Sequence, residues 1–234
     1  MPPALSPRDR LIVGLDLADA AAALAMVARL GDSVSFYKIG MELIYGSGFD
    51  VVRRLVGEGK QVFVDLKLHD IPHTVERATA QIARLGATFL TVHGFAPTMQ
   101  GALAGAAGSK LRLLAVTVLT SFDEDDVRQA GYRLSLAELV ALRAEQAQKL
   151  GISGLVMSAH EAQAMRARLG PAMVLVTPGI RPSSGEIGDQ KRVMTPKAAI
   201  KAGADHLVVA RPILTSPDPR AMATSIIEEI AAAS

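Results

Sequence analysis

The chain has 234 residues, half of them hydrophobic, with 25 Lys and Arg against 23 Asp and Glu. A formal charge of +2, few aromatics and no basic cluster leave no electrostatic footprint for nucleic acid. The absence of cysteine excludes disulfides and thiolate metal sites.

No apolar run approaches the length of a membrane span, so no membrane partner is expected. The opening "MPPALSPRDR" has no long apolar stretch, so no signal peptide is expected and a cytoplasmic enzyme is.

Along the chain, short β-branched runs alternate with longer Ala-rich segments of helical period. Leu11–Leu15 reads as a strand and Ala20–Leu30 as a helix. Val34–Ile39 and Leu43–Glu58 form the next strand and helix, then Gln61–Leu66 and Thr74–Leu85. Thr88–His93 precedes Thr98–Ala107, and Leu111–Val118 precedes Leu134–Leu150. Gly154–Met157 with Ala159–Arg168, Met173–Thr177 with Pro196–Ala202, and His206–Ala210 with Pro219–Ala232 complete the series. Gly31, Gly86, Gly151, Gly170 and Gly203 stand where helix C-termini favour glycine.

Eight strands, apolar on both faces, each followed by a helix, predict a single-domain (β/α)8 barrel over residues 1–234. A doubly wound open sheet is the competitor, but "VGLDLADA" after the first strand lacks its glycine fingerprint. Residues 179–195, "GIRPSSGEIGDQKRVMT", form one long polar segment, which in a compact domain reads as a functional, mobile loop.

A barrel places its site at the C-terminal ends of its strands. There the sequence puts Asp16, Lys38, the group Asp65, Lys67 and Asp70, then His93, Thr120 with Ser121, Pro178-Gly179, and Arg211. Side chains alternate along a strand, so Asp65 and Lys67 share the inward face while Leu66 and Leu68 face the helices. By the same rule Lys38 shares a face with Phe36. Partly buried charges are costly unless paired or used, and here two ammoniums alternate with two carboxylates. Such a cluster can hold a lysine ready to deliver a proton, and it needs no metal. Arg211 and Pro178-Gly179 fall at the usual barrel phosphate position, with Arg181, Gln190 and Arg192 on the long segment. His93 reads as a supporting, packed residue. "DEDD" at Asp123–Asp126 reads as the first turn of a helix rather than a metal site.

"VDLKLHDIPHTV" resembles the signature of the orotidine 5′-monophosphate decarboxylase family, D-x-K-x-x-D-I-P-x-T. "LDL" at Leu15–Leu17, "YKIG" at Tyr37–Gly40, "VLTS" at Val118–Ser121, "VTPGIRP" at Val176–Pro182, "DQKR" at Asp189–Arg192 and "ARPI" at Ala210–Ile213 follow in family order. The resemblance implies loss of carbon dioxide from orotidine monophosphate, the last step of de novo pyrimidine synthesis, without cofactor or metal. It implies that Lys67 protonates C6, that Asp65 sits by the substrate carboxylate, and that Lys38 and Asp70 complete the network. Asp16 and Lys38 would contact the ribose, and Thr120 and Ser121 the pyrimidine. Gln190 would bridge base and phosphate, Arg211 with the Ala210 amide and Pro178 would hold the phosphate end, and Arg181 would belong to the closing segment. It further implies a homodimer in which Asp70, Ile71 and Thr74 serve the neighbouring site. The departures are Ala210 where the family usually has Gly, His73 at the motif's variable position, and Gly94-Phe95 after His93. The nearest rivals, magnesium-dependent keto-gulonate phosphate decarboxylases and hexulose phosphate synthases, typically carry an acidic residue where Lys38 stands. A non-catalytic phosphate sensor would need no Lys67 flanked by carboxylates.

Overall fold

The computed structural model describes residues 5–182 and 194–233. Its eight strands are β1 (Leu11–Gly14), β2 (Phe36–Gly40), β3 (Gln61–Leu68), β4 (Phe89–His93), β5 (Arg112–Val116), β6 (Gly154–Val156), β7 (Val174–Thr177) and β8 (His206–Val209). Each pairs in parallel with the next, and β8 returns to β1, which closes the barrel. The expected (β/α)8 architecture is therefore the observed one. Pleating divides each strand's side chains between two cores. Ile12, Phe36, Phe63, Phe89, Leu114, Val116, Val156, Val176 and Val208 fill the barrel interior. Their neighbours, such as Val13, Tyr37, Val64 and Leu90, pack outward against the helices. No helix among the described residues is long and apolar enough to cross a membrane.

Several boundaries differ from the expected ones. The segment expected as one helix from Leu43 to Glu58 is broken: a short turn, Met41–Leu43, runs into a wide turn, Ile44–Gly48, before the helix Phe49–Gly57. Ser47 leaves helical geometry at φ −142°, between two glycines that hold a helix poorly. The helix expected from Thr74 starts at Pro72, whose fixed φ and missing N–H suit a first helical position. The acidic run does open a helix: Asp123 caps Glu124–Gln129, with a reciprocal capping box to Asp126. The strand expected over Leu111–Val118 runs only from Arg112 to Val116, so Thr120 and Ser121 stand on the loop beyond it.

The barrel base carries a titratable group inside the apolar interior. His206 of β8 is buried, with its ring edge toward Phe36 and Phe89 at centroid distances of 5.6 and 5.4 Å. Its Nδ1–H donates to the Asp9 carbonyl at 2.9 Å. Burial pushes its pKa from 6.5 down to about 4. The unfolded chain then binds the proton more tightly, so this contribution to stability is complete above pH 6.5 and is lost as the pH falls toward 4. Urea unfolding between pH 7.5 and 4.5 is expected to lose up to about 1.4 kcal/mol per pH unit through this group. His206→Gln should flatten that slope; an unchanged slope would assign it to other residues.

Candidate active site

The centre of the site is a distortion in β3. Val64 pairs with Leu90 and Leu68 with Val92, so three residues, Asp65 to Lys67, oppose the single residue Thr91. This bulge is accommodated at Lys67, whose φ of 48° is the only positive value of a non-glycine among the described residues. Asp65 and Lys67 both reach the cavity, while Leu66 and Leu68 pack toward the helices, as expected. The cause is not simple strand alternation, however. The bulge re-aims Lys67, and Lys67 Nζ donates to Asp65 Oδ1 at 2.9 Å. Thr91, which the sequence reading did not single out, donates its hydroxyl proton to the same oxygen at 2.8 Å and accepts from the Lys67 amide at 2.9 Å.

The second ammonium enters from β2. Lys38 is buried; its Nζ lies 2.9 Å from Asp16 Oδ1 and 3.5 Å from Asp65 Oδ2. Gly14 and Gly40 make room for it, since an added Cβ would lie 3.3 Å from Lys38 Cε or 3.1 Å from Nζ. Burial penalises the Lys38 charge, but Asp65 and Asp16 more than offset this and raise its pKa. Burial likewise opposes ionisation of Asp65; the two lysines, with the bonds from Lys67 and Thr91, overcome it and hold the carboxyl below its usual range. The result is a row Asp16–Lys38–Asp65–Lys67 of alternating, fixed charge.

This row lies along one side of a cavity of about 610 Å³ at the C-terminal mouth. Phe63, Val116, Val156 and Val208 from the barrel interior supply apolar lining. Thr120, Ser121, Pro178, Gly179, Arg181, Ala210 and Arg211 also line it. Arg211 opens a four-residue helix directly after β8. The Arg181 amide donates to the Met194 carbonyl at 3.1 Å, which ties together the chain on either side of residues 183–193. Gln190 and Arg192 lie outside the described residues.

Three expected site residues are not brought into this cavity. Asp70, Ile71 and Thr74 are exposed beside it, and Asp70 Oδ1 caps the Ile71 amide at 2.6 Å. Neither His69 nor His93 lines the cavity. His69 stacks on Phe95 at 4.6 Å and stands edge-on to His93 at 5.3 Å. Burial, with neighbouring His69, Arg143 and Lys67, keeps His93 below its usual pKa, in keeping with a packed supporting residue.

A closed parallel barrel with charged side chains converging at the C-terminal strand ends defines the class: a (β/α)8-barrel enzyme. The family model described as orotidine 5′-phosphate decarboxylase / HUMPS family matches residues 9–226, and the chain belongs to that family. An orotidine 5′-phosphate decarboxylase of Bradyrhizobium sp. strain BTAi1 is 61% identical over 233 residues, covering 100% of this chain and 96% of the relative. That of Rhodopseudomonas palustris strain CGA009 is 58% identical over 226 residues, covering 97% of this chain and 95% of the relative. The crystal structure of the Lactobacillus acidophilus orotidine 5′-phosphate decarboxylase superposes with a TM-score of 0.84 at 38% identity, covering 94% of this chain and 98% of that one.

Proposed function

We propose that the chain decarboxylates orotidine 5′-phosphate to uridine 5′-phosphate and carbon dioxide in pyrimidine biosynthesis. The observation that carries this reading is the partly buried row Lys38–Asp65–Lys67 inside a cavity also lined by two arginines. In the reaction the C6–carboxylate bond breaks, its electron pair stays on C6, and a proton from Lys67 Nζ joins that carbon. Lys67 then regains a proton from solvent. The nascent carbanion has no conjugating group to delocalise it, so fixed positive charge must stabilise it where it forms. Lys67 supplies that charge, and Lys38 keeps Asp65 ionised beside it. Asp65 faces the departing carboxylate, and its repulsion is relieved as carbon dioxide leaves.

The family resemblance supports roles for the remaining residues. Arg211, the Ala210 amide and the Pro178-Gly179 turn would grip the phosphate, with Arg181 and Gln190 closing over it. Thr120 and Ser121 would orient the pyrimidine, and Asp16 and Lys38 the ribose. Binding energy from the phosphate end is thereby available to orient the base at Lys67. Asp70, Ile71 and Thr74 would complete the site of a second copy in a homodimer. Ile71 is 67% exposed after β3, and Tyr45 is 80% exposed after β2, as expected of apolar groups awaiting a partner surface.

An absorbance assay on orotidine 5′-phosphate tests the reading; no turnover would overturn it. Asp65 has its charge met by two ammoniums, which leaves a poor donor set for a divalent ion. Protein stripped with EDTA is therefore expected to keep its full rate, and added magnesium to leave it unchanged. Activity lost with chelator and restored by magnesium would favour the sugar-phosphate branch of the family instead.

A further inference from the structure

Asp65 and Lys67 are held by other charges and by two hydrogen bonds to one neutral side chain, Thr91. Thr91 is fully buried on β4, on the inward face one step above Phe89. It is the only β4 residue opposite the three-residue bulge. Its hydroxyl has one proton, and that proton goes to Asp65 Oδ1 at 2.8 Å. Its lone pair takes the Lys67 amide at 2.9 Å. A regular strand would offer that amide a neighbouring backbone carbonyl, whereas the bulge offers it a side chain.

We propose that the Thr91 hydroxyl is a positioning group for the reaction: it holds the left-handed backbone of Lys67 and one oxygen of Asp65 in a single frame. A left-handed conformation at a lysine persists only where its surroundings over-determine it. Thr91 does so from both ends, fixing the backbone at Lys67 and the acceptor that Lys67 Nζ must reach. Threonine suits the position because its methyl continues the apolar barrel layer while its hydroxyl serves both bonds. Valine would fill the same space and serve neither.

This role rests on the decarboxylase reading, and the test separates the two. Thr91→Val and Thr91→Ser are compared with the wild-type protein on orotidine 5′-phosphate, with thermal midpoints and uridine 5′-phosphate affinity measured alongside. T91V is expected to lose about 10- to 100-fold in kcat, the consequence of a buried amide and a carboxylate oxygen losing their partner, with KM little changed. T91S, which restores the hydroxyl without the methyl, is expected to recover to within about threefold of wild type. Should T91V not fold, Thr91→Cys takes its place, since a thiol fills similar space and bonds weakly. Wild-type kcat in a folded T91V, or a T91S as slow as T91V, would overturn the proposal. A wild-type protein that does not turn over would count against the functional reading alone. The crystal structure of T91V then decides the role of Thr91: Lys67 relaxed from its left-handed conformation supports it, and Lys67 unmoved refutes it.

Discussion

Replacing Lys67 by alanine is expected to lower kcat on orotidine 5′-phosphate by at least about a thousandfold, the combined effect of a missing proton donor and a missing preorganised charge. Binding of uridine 5′-phosphate should survive, because the parts of the cavity proposed to take phosphate and ribose are built from other elements. The backbone does not confound the measurement. Lys67 sits at φ 48°, and alanine there carries the same left-handed penalty of about 1–2 kcal/mol. Lys67→Gly provides the control: it should be equally inactive yet more stable by about 1 kcal/mol, since glycine adopts this conformation without strain. Lys38, 3.5 Å from Asp65, and Thr91, 2.8 Å from it, are present in either variant, so the carboxylate is expected to stay ionised near neutral pH. The site would then retain its negative charge and lose the cation that balances it at the reacting carbon. A rate near wild type for Lys67→Ala would remove Lys67 from the mechanism.

Most of the barrel was legible in the sequence because parallel strands covered on both faces must be apolar on both faces. The eight short runs therefore stood out, and the polar residues at their ends marked the mouth. Lys38 and Asp65 could be placed inward from Phe36 and Phe63 by counting in twos. The same count put Lys67 inward, where it lies, although its aim comes from a bulge and not from regular alternation. A bulge is a property of the pairing between β3 and β4, and periodicity within β3 is silent about it. Thr91 was invisible for the same reason: in sequence it is one β-branched residue within an ordinary strand. The kink at Ser47 was hidden by apolar spacing that reads through it, although two glycines flank it. Asp70 and Ile71 showed the opposite pattern, being prominent as a motif and yet outside the cavity of their own chain.

That placement leads to the second expected result. Lys67→Ala and Asp70→Ala proteins, each nearly inactive alone, should regain activity when mixed and allowed to exchange subunits. Asp70 and Ile71 leave β3 at the rim, exposed, with Asp70 held by the Ile71 amide. Pro72 starts the following helix immediately, so the segment is stiff and projects outward. In a two-fold dimer such a projection from each copy meets the same region of the other. A mixed dimer would contain one doubly altered site and one site with both residues intact. Random exchange makes half the dimers mixed, and half of their sites are whole, so about a quarter of wild-type activity is expected. The residual activity should fall with dilution as dimers dissociate, and a double variant carrying both substitutions in one chain should not be rescued by itself. Absence of rescue, with exchange verified by native mass spectrometry, would confine Asp70 to its own subunit. The charged network would then end at Lys67, and the exposed carboxylate of Asp70 would be left with the capping of Ile71 as its function.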